Sequence, residues 1–156
     1  MGWTEWLEAL PHAVALRQSA TLYMLANAAH ILAIGLLTGA ILPLDLRLMG
    51  LIRSGPLAVL APFLVRMAGT GLAFALLTGF CLFSVKPAEY LANPAFLAKI
   101  ALLALGLTTV ALQHAGQGWN EIRQGSEPGG RVRVLAALSF ITWLATLVAG
   151  RWIGFV

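Results

Sequence analysis

The sequence holds a single cysteine, Cys81, in 156 residues, which excludes a disulfide framework and a cysteine-built zinc site. Charge is just as scarce: Asp, Glu, Lys and Arg together make 10% of the chain, against about 25% in soluble domains. With 60% hydrophobic residues, a water-soluble fold would have too little polar surface to cover its core. There is no HExxH, no glycine-rich phosphate loop and no Ser/His/Asp set, so motif-based enzyme classes are excluded. The net charge of +4 is carried by scattered basic residues that follow no helical face and do not interleave with aromatics. That distribution reads as membrane orientation rather than nucleic-acid binding.

What is present is long apolar runs. About twenty mostly apolar residues suffice for a helix to cross a bilayer, and four such stretches occur, at about 20–44, 62–85, 94–118 and 134–154. The expected fold class is therefore all-α, an integral membrane four-helix bundle forming a single transmembrane domain over 1–156. Ahead of it, Trp3, Trp6, Leu7, Leu10 and Val14 recur at helical spacing over 3–18. This predicts a short interfacial helix with tryptophans at headgroup depth, broken at Pro11. Glu5 and Glu8 precede the first basic residue, Arg17, so this segment does not read as a signal peptide. Asn93 followed by Pro94 is a helix start, and the polar stretch 119–130 reads as an exposed loop.

Orientation follows from basic residues. Arg47, Arg53, Arg66, Arg123, Arg131 and Arg133 flank one side; Arg17, Lys86, Lys99 and Arg151 flank the other. The positive-inside rule then places both termini outside, periplasmic in a bacterial inner membrane.

Ionisable residues inside lipid are costly and point to function. His30 shares a face of the first span with Tyr23 and Asn27, roughly 12–15 Å from the start of its span by helical rise. A neutral imidazole there is a ligand for haem iron or copper, or else a histidine bonded to Asn27 or a neighbouring helix. His114 falls near the opposite surface, offset from His30 by roughly 10 Å, which disfavours a haem held by both. His114 instead groups with Asp45, Arg47 and Arg66 in an inner polar cluster that either moves protons or closes the bundle. At the outer end Lys99, Arg151, Tyr90 and Glu89 are expected to converge above His30, suited to a propionate, a quinone oxygen or an anion, or to interfacial anchoring. Met24 and Cys81 are soft ligands that, with His30, define a copper(I) path if they are more than packing residues.

The ordered set Asp45-Leu46-Arg47-Leu48-Met49-Gly50 after the span bearing His30, then Thr78-Gly79, Tyr90, Asn93, Phe96, Lys99, His114 and Gly150-Arg151, resembles a bacterial four-helix membrane family of unknown function. The likeness covers nearly the whole chain. That family is distantly similar to the CopD copper-resistance domain and to HemJ, the haem-b-containing protoporphyrinogen oxidase. The resemblance implies a small bundle in which His30 and Lys99 serve a haem or metal site. Three readings stand open. One is a haem-b electron-transfer protein acting between quinone and a periplasmic partner. The others are a CopD-like copper-handling protein and an accessory subunit without a cofactor.

Overall fold

The computed structural model describes residues 2–53 and 55–156. Four of its helices are long and apolar enough to cross a membrane: α3 (Ala20–Leu48), α4 (Leu57–Phe83), α6 (Pro94–Ala115) and α8 (Gly130–Trp152), the last continued by a 3₁₀ turn at Ile153–Phe155. Shorter helices join or precede them: α1 (Trp3–Glu8), α2 (Pro11–Gln18), α5 (Pro87–Ala92) and α7 (Gln117–Arg123). The long helices alternate in direction, so one end of the bundle, the terminal end, carries both chain ends and α5. The far end carries the α3–α4 connection and α7.

The spans associate as two hairpins. α3 packs closely on α4 and α6 on α8; α3 and α8 join the pairs, whereas α4 and α6 hardly touch. Lipid gives helices no hydrophobic reason to associate, so small residues that admit close approach decide the pairing. Gly71 is where α3 and α4 meet: a Cβ there would lie 2.5 Å from the Leu37 backbone nitrogen and 3.0 Å from the Ala33 carbonyl oxygen. Gly106 similarly admits the Trp143 indole between α6 and α8, with a virtual Cβ 3.2 Å from the ring.

Burial is concentrated toward the far end. One core cluster gathers Leu44, Leu48, Leu57, Ala61, Trp119, Ile122, Val132 and Ala136; a second gathers Leu37, Ala40, Ile41, Ala68 and Trp143. The polar stretch 119–130 is therefore not wholly a loop. Its first part is the end of α7, whose Trp119 and Ile122, three residues apart, face the same way and seal the far end. Only the segment after α7 turns, through Gly125 at φ +95°. α4 begins at Leu57 rather than at Pro62, because Pro56 supplies the cap and Pro62 sits inside the helix. Missing proline hydrogen bonds are tolerated where neighbouring helices cover the backbone.

At the terminal end, α1 and α2 form two pieces on either side of the Leu10–Pro11 junction and dock on α3, α4 and α5. Ala13 is buried there, and the His12 Nε2 lies 3.0 Å from the Ser84 hydroxyl, which itself donates to the Cys81 carbonyl. Trp3 and Trp6 stay exposed, as headgroup-level anchors require.

Asn93 holds the terminal end together. Its Oδ1 accepts from the Ala95 and Phe96 backbone amides at 2.9 and 3.2 Å, capping α6. Its Nδ2 donates to the Ile153 and Val156 carbonyls, tying down the chain end. Asn93→Ala is expected to lower stability by about 1–2 kcal/mol through loss of the cap and to free the C-terminal turn. Thermal unfolding in detergent and protease sensitivity after Trp152 read the two effects separately.

Candidate functional site

The terminal half of the bundle contains the arrangement with the clearest chemical content. His30, on α3, faces α4, where Gly79 leaves room for the ring: a Cβ at Gly79 would stand 3.1 Å from His30 Cε1. The His30 Nδ1 lies 2.9 Å from the Thr78 hydroxyl. That hydroxyl has one proton and directs it to the Phe74 carbonyl at 2.6 Å, so it accepts from Nδ1–H. The bonding thus assigns the proton to Nδ1 and leaves the lone pair on Nε2. The partner is Thr78, with the Ala75 carbonyl also against the ring, and not Asn27, which is exposed.

Lys99, on α6, lies within Coulombic reach of His30. Its stem runs against Gly150, whose virtual Cβ would be 3.6 Å from the Lys99 Cε. No carboxylate pairs with its ammonium among the described residues. Above this pair an aromatic group closes the terminal end. Phe83 and Phe96 stack at 5.5 Å, and Tyr90 tilts against both, at 6.1 Å from Phe83 and 5.2 Å from Phe96. Burial and the adjoining Tyr23 hydroxyl push the Tyr90 phenol up to about 12.

The sign of that shift gives a testable consequence. A phenol whose folded value lies above its ordinary value of 10.0 keeps its proton longer in the folded chain than in the unfolded one. Its contribution to stability is complete below about pH 10 and is lost as pH rises toward about 12. The chain has only two tyrosines, so an alkaline phenolate titration followed by ultraviolet absorbance resolves them. Tyr90→Phe is expected to remove the step near pH 12.

The other candidates lie apart. Arg151 turns outward and places its guanidinium 4.6 Å over the Phe155 ring. Glu89 pairs with Lys86 at 2.9 Å on the exposed side of α5. The Met24 side chain is exposed, and no three of the described His, Cys, Asp and Glu residues group in a way that holds a metal ion.

Fifteen residues separate Lys99 from His114 on α6, about 22 Å by helical rise. His114 is exposed at the far end, its Nδ1 on the Val110 carbonyl at 2.8 Å and its ring 4.4 Å from Trp119. The far end gathers only part of the expected group: Asp45 and His114 both line one cavity, whereas Arg47 and Arg66 stand apart from it. Asp45 is buried against Ser139 of α8. Arg47 points the other way, to the Gly55 carbonyl at 3.5 Å and Glu127 at 3.8 Å. Arg66 is exposed.

Two functional features escape a reading of the sequence: Thr78 as the group that fixes the His30 tautomer, and His12 as the link between α2 and α4. Thr78 stood next to Gly79 in the motif set, but a partner 48 residues away leaves no local signal.

No curated protein and no solved structure matches the chain. No tie to CopD or to HemJ is established. The family of unknown function DUF6644, by contrast, matches residues 5–156, and the chain belongs to that family.

Proposed function

We propose that this protein binds a b-type haem in the terminal half of its bundle, where His30 Nε2 would hold the iron and Lys99 a propionate. The observation that carries this reading is a lone-pair-bearing imidazole nitrogen within Coulombic reach of an ammonium that no carboxylate among the described residues pairs, inside an apolar bundle. A cation beside the ligand repels a copper ion but favours a porphyrin, which brings its own carboxylates. Gly79 keeps the imidazole seated against α4, and Thr78 fixes its tautomer, the outer-shell device that orients ligating histidines. Asn27 and the Tyr23–Tyr90 pair lie in the same half of the bundle, while Met24, Cys81 and His114 have no part in the proposed site. The haem would supply one-electron chemistry. The chain's own contribution is to hold the iron ligand neutral and to offset the propionate charge in a dry setting. The proposed setting is a bacterial inner membrane with both termini periplasmic, the electrons passing between a quinone and a periplasmic redox protein.

The test is a visible spectrum of protein made with ample haem supply and purified in detergent, before and after dithionite. The expected result is a Soret band that shifts on reduction. Colourless protein that retains stoichiometric copper would instead favour CopD-like metal handling. Protein that holds neither would leave an accessory subunit.

A further inference from the structure

The far half of the bundle contains a cavity of about 130 Å³ that the haem reading does not use. Its walls are mostly aliphatic, with Leu37, Leu44 and Ala68 among them. Four buried residues lining it carry a polar atom that makes no hydrogen bond of good geometry, Asp45 Oδ2, Gln113 Oε1, Ser139 Oγ and Trp143 Nε1, although Asp45 and Ser139 lie against each other. All four residues are more than nine-tenths buried. Buried polar groups left unpaired are costly and call for an unseen partner.

The geometry points to a binding site for a single-ring phenol, of the kind a lipid-soluble quinol carries, with its ring in the apolar cavity and its hydroxyl on Asp45 and Trp143. Three observations select that chemistry. An engineered cavity of about 150 Å³ with apolar walls accepts a benzene ring, so the space here suits one six-membered ring. The unpaired atoms include both acceptors, on Asp45 and Gln113, and a donor, the Trp143 indole N–H. A hydroxyl satisfies one of each at once. An ether or ketone satisfies only the donor, and a hydrocarbon satisfies neither. Finally, the exposed residues of the lining, Gly69, Leu107 and His114, belong to α4 and α6, the two spans that hardly touch. The mouth therefore lies between them and faces lipid, the phase from which an apolar ring with a polar group arrives.

Calorimetric titration of the full chain in nanodiscs, with empty nanodiscs subtracted, tests the proposal. The probes are phenol, hydroquinone, anisole, benzene and decylhydroquinone. Phenol and hydroquinone are expected to bind about tenfold tighter than anisole or benzene, one added hydrogen bond's worth. Trp143→Phe, which keeps an aromatic ring and removes the N–H, is expected to erase that preference, as is Asp45→Leu, which removes the carboxylate acceptors. Ala68→Leu, which fills the space, is expected to abolish binding of every probe while the chain stays folded. Decylhydroquinone binding more tightly than hydroquinone assigns the ligand to the membrane; equal affinities assign it to the aqueous phase. Anisole binding as well as phenol, or phenol binding unchanged in folded Ala68→Leu, overturns the proposal. If Asp45→Leu does not fold, the probe series and the other two variants still decide. The haem spectrum arises at the opposite end and serves as an independent readout.

Discussion

His30→Ala protein, produced with haem supplied and purified in the same detergent as the parent, is expected to be colourless. His114→Ala is expected to keep the full spectrum. The contrast follows from position: His30 Nε2 is the histidine nitrogen with a free lone pair within Coulombic reach of Lys99, whereas His114 sits exposed at the far end of α6. Two intermediate variants grade the account. Thr78→Val keeps the shape but removes the hydroxyl that accepts from Nδ1–H, so the ring loses its fixed tautomer. Metal-site outer-shell losses of this kind weaken binding by about 10- to 100-fold. Lys99→Met keeps the apolar stem against Gly150 and removes the ammonium. A hydrogen bond to a charged group contributes about 1.5–3 kcal/mol, so retention of haem is expected to weaken by about tenfold or more. Haem content per protein, measured after a fixed wash, is the quantity to compare.

Gly71→Leu is expected to prevent the bundle from forming, and Gly71→Ala to destabilise it by about 1–3 kcal/mol, the usual effect of overpacking. The atoms that a new Cβ would meet are backbone: Leu37 N at 2.5 Å, Leu37 Cα at 2.9 Å and the Ala33 oxygen at 3.0 Å. No rotamer change relieves such contacts, so α3 and α4 must separate along the most extensive helix contact among the described residues. Gly35 and Gly39, on α3, are the controls. Nothing lies within 4 Å of a Cβ at either, and alanine there is expected to be neutral or mildly stabilising through its better helix propensity. Unfolding midpoints in detergent, with the four variants side by side, separate a specific close approach from a general intolerance of glycine loss.

The four spans were legible because lipid imposes a length and a composition on any helix that crosses it, and both are written directly in the residues. The cap at Asn93–Pro94 and the break at Pro11 were legible for an equally local reason, since proline and asparagine act on their own backbone. α7 was hidden because a seven-residue helix carries only two apolar contacts, Trp119 and Ile122, inside a polar run. The divergence of Asp45 and Arg47 follows from the helix itself. Residues two apart point to different sides, so α3 sends one to Ser139 and the other to the α7–α8 connection. His30 was marked by its placement in an apolar span, but its partners Thr78 and Lys99 come from helices 48 and 69 residues onward. Such pairings depend on which helices pack, and hydropathy does not encode that. The separation of α4 from α6, which opens the far cavity toward lipid, was unreadable for the same reason.

Every site described here depends on four crossings that bring both chain ends to one face of the membrane. Single cysteines introduced into a Cys81→Ser background, by Arg53→Cys, Ser126→Cys, Glu89→Cys and Val156→Cys, measure this directly when labelled with a membrane-impermeant maleimide in right-side-out and inverted vesicles. The account predicts that the first two react from one side only and the last two from the other only. Glu89→Cys and Ser126→Cys reacting from the same side would contradict it.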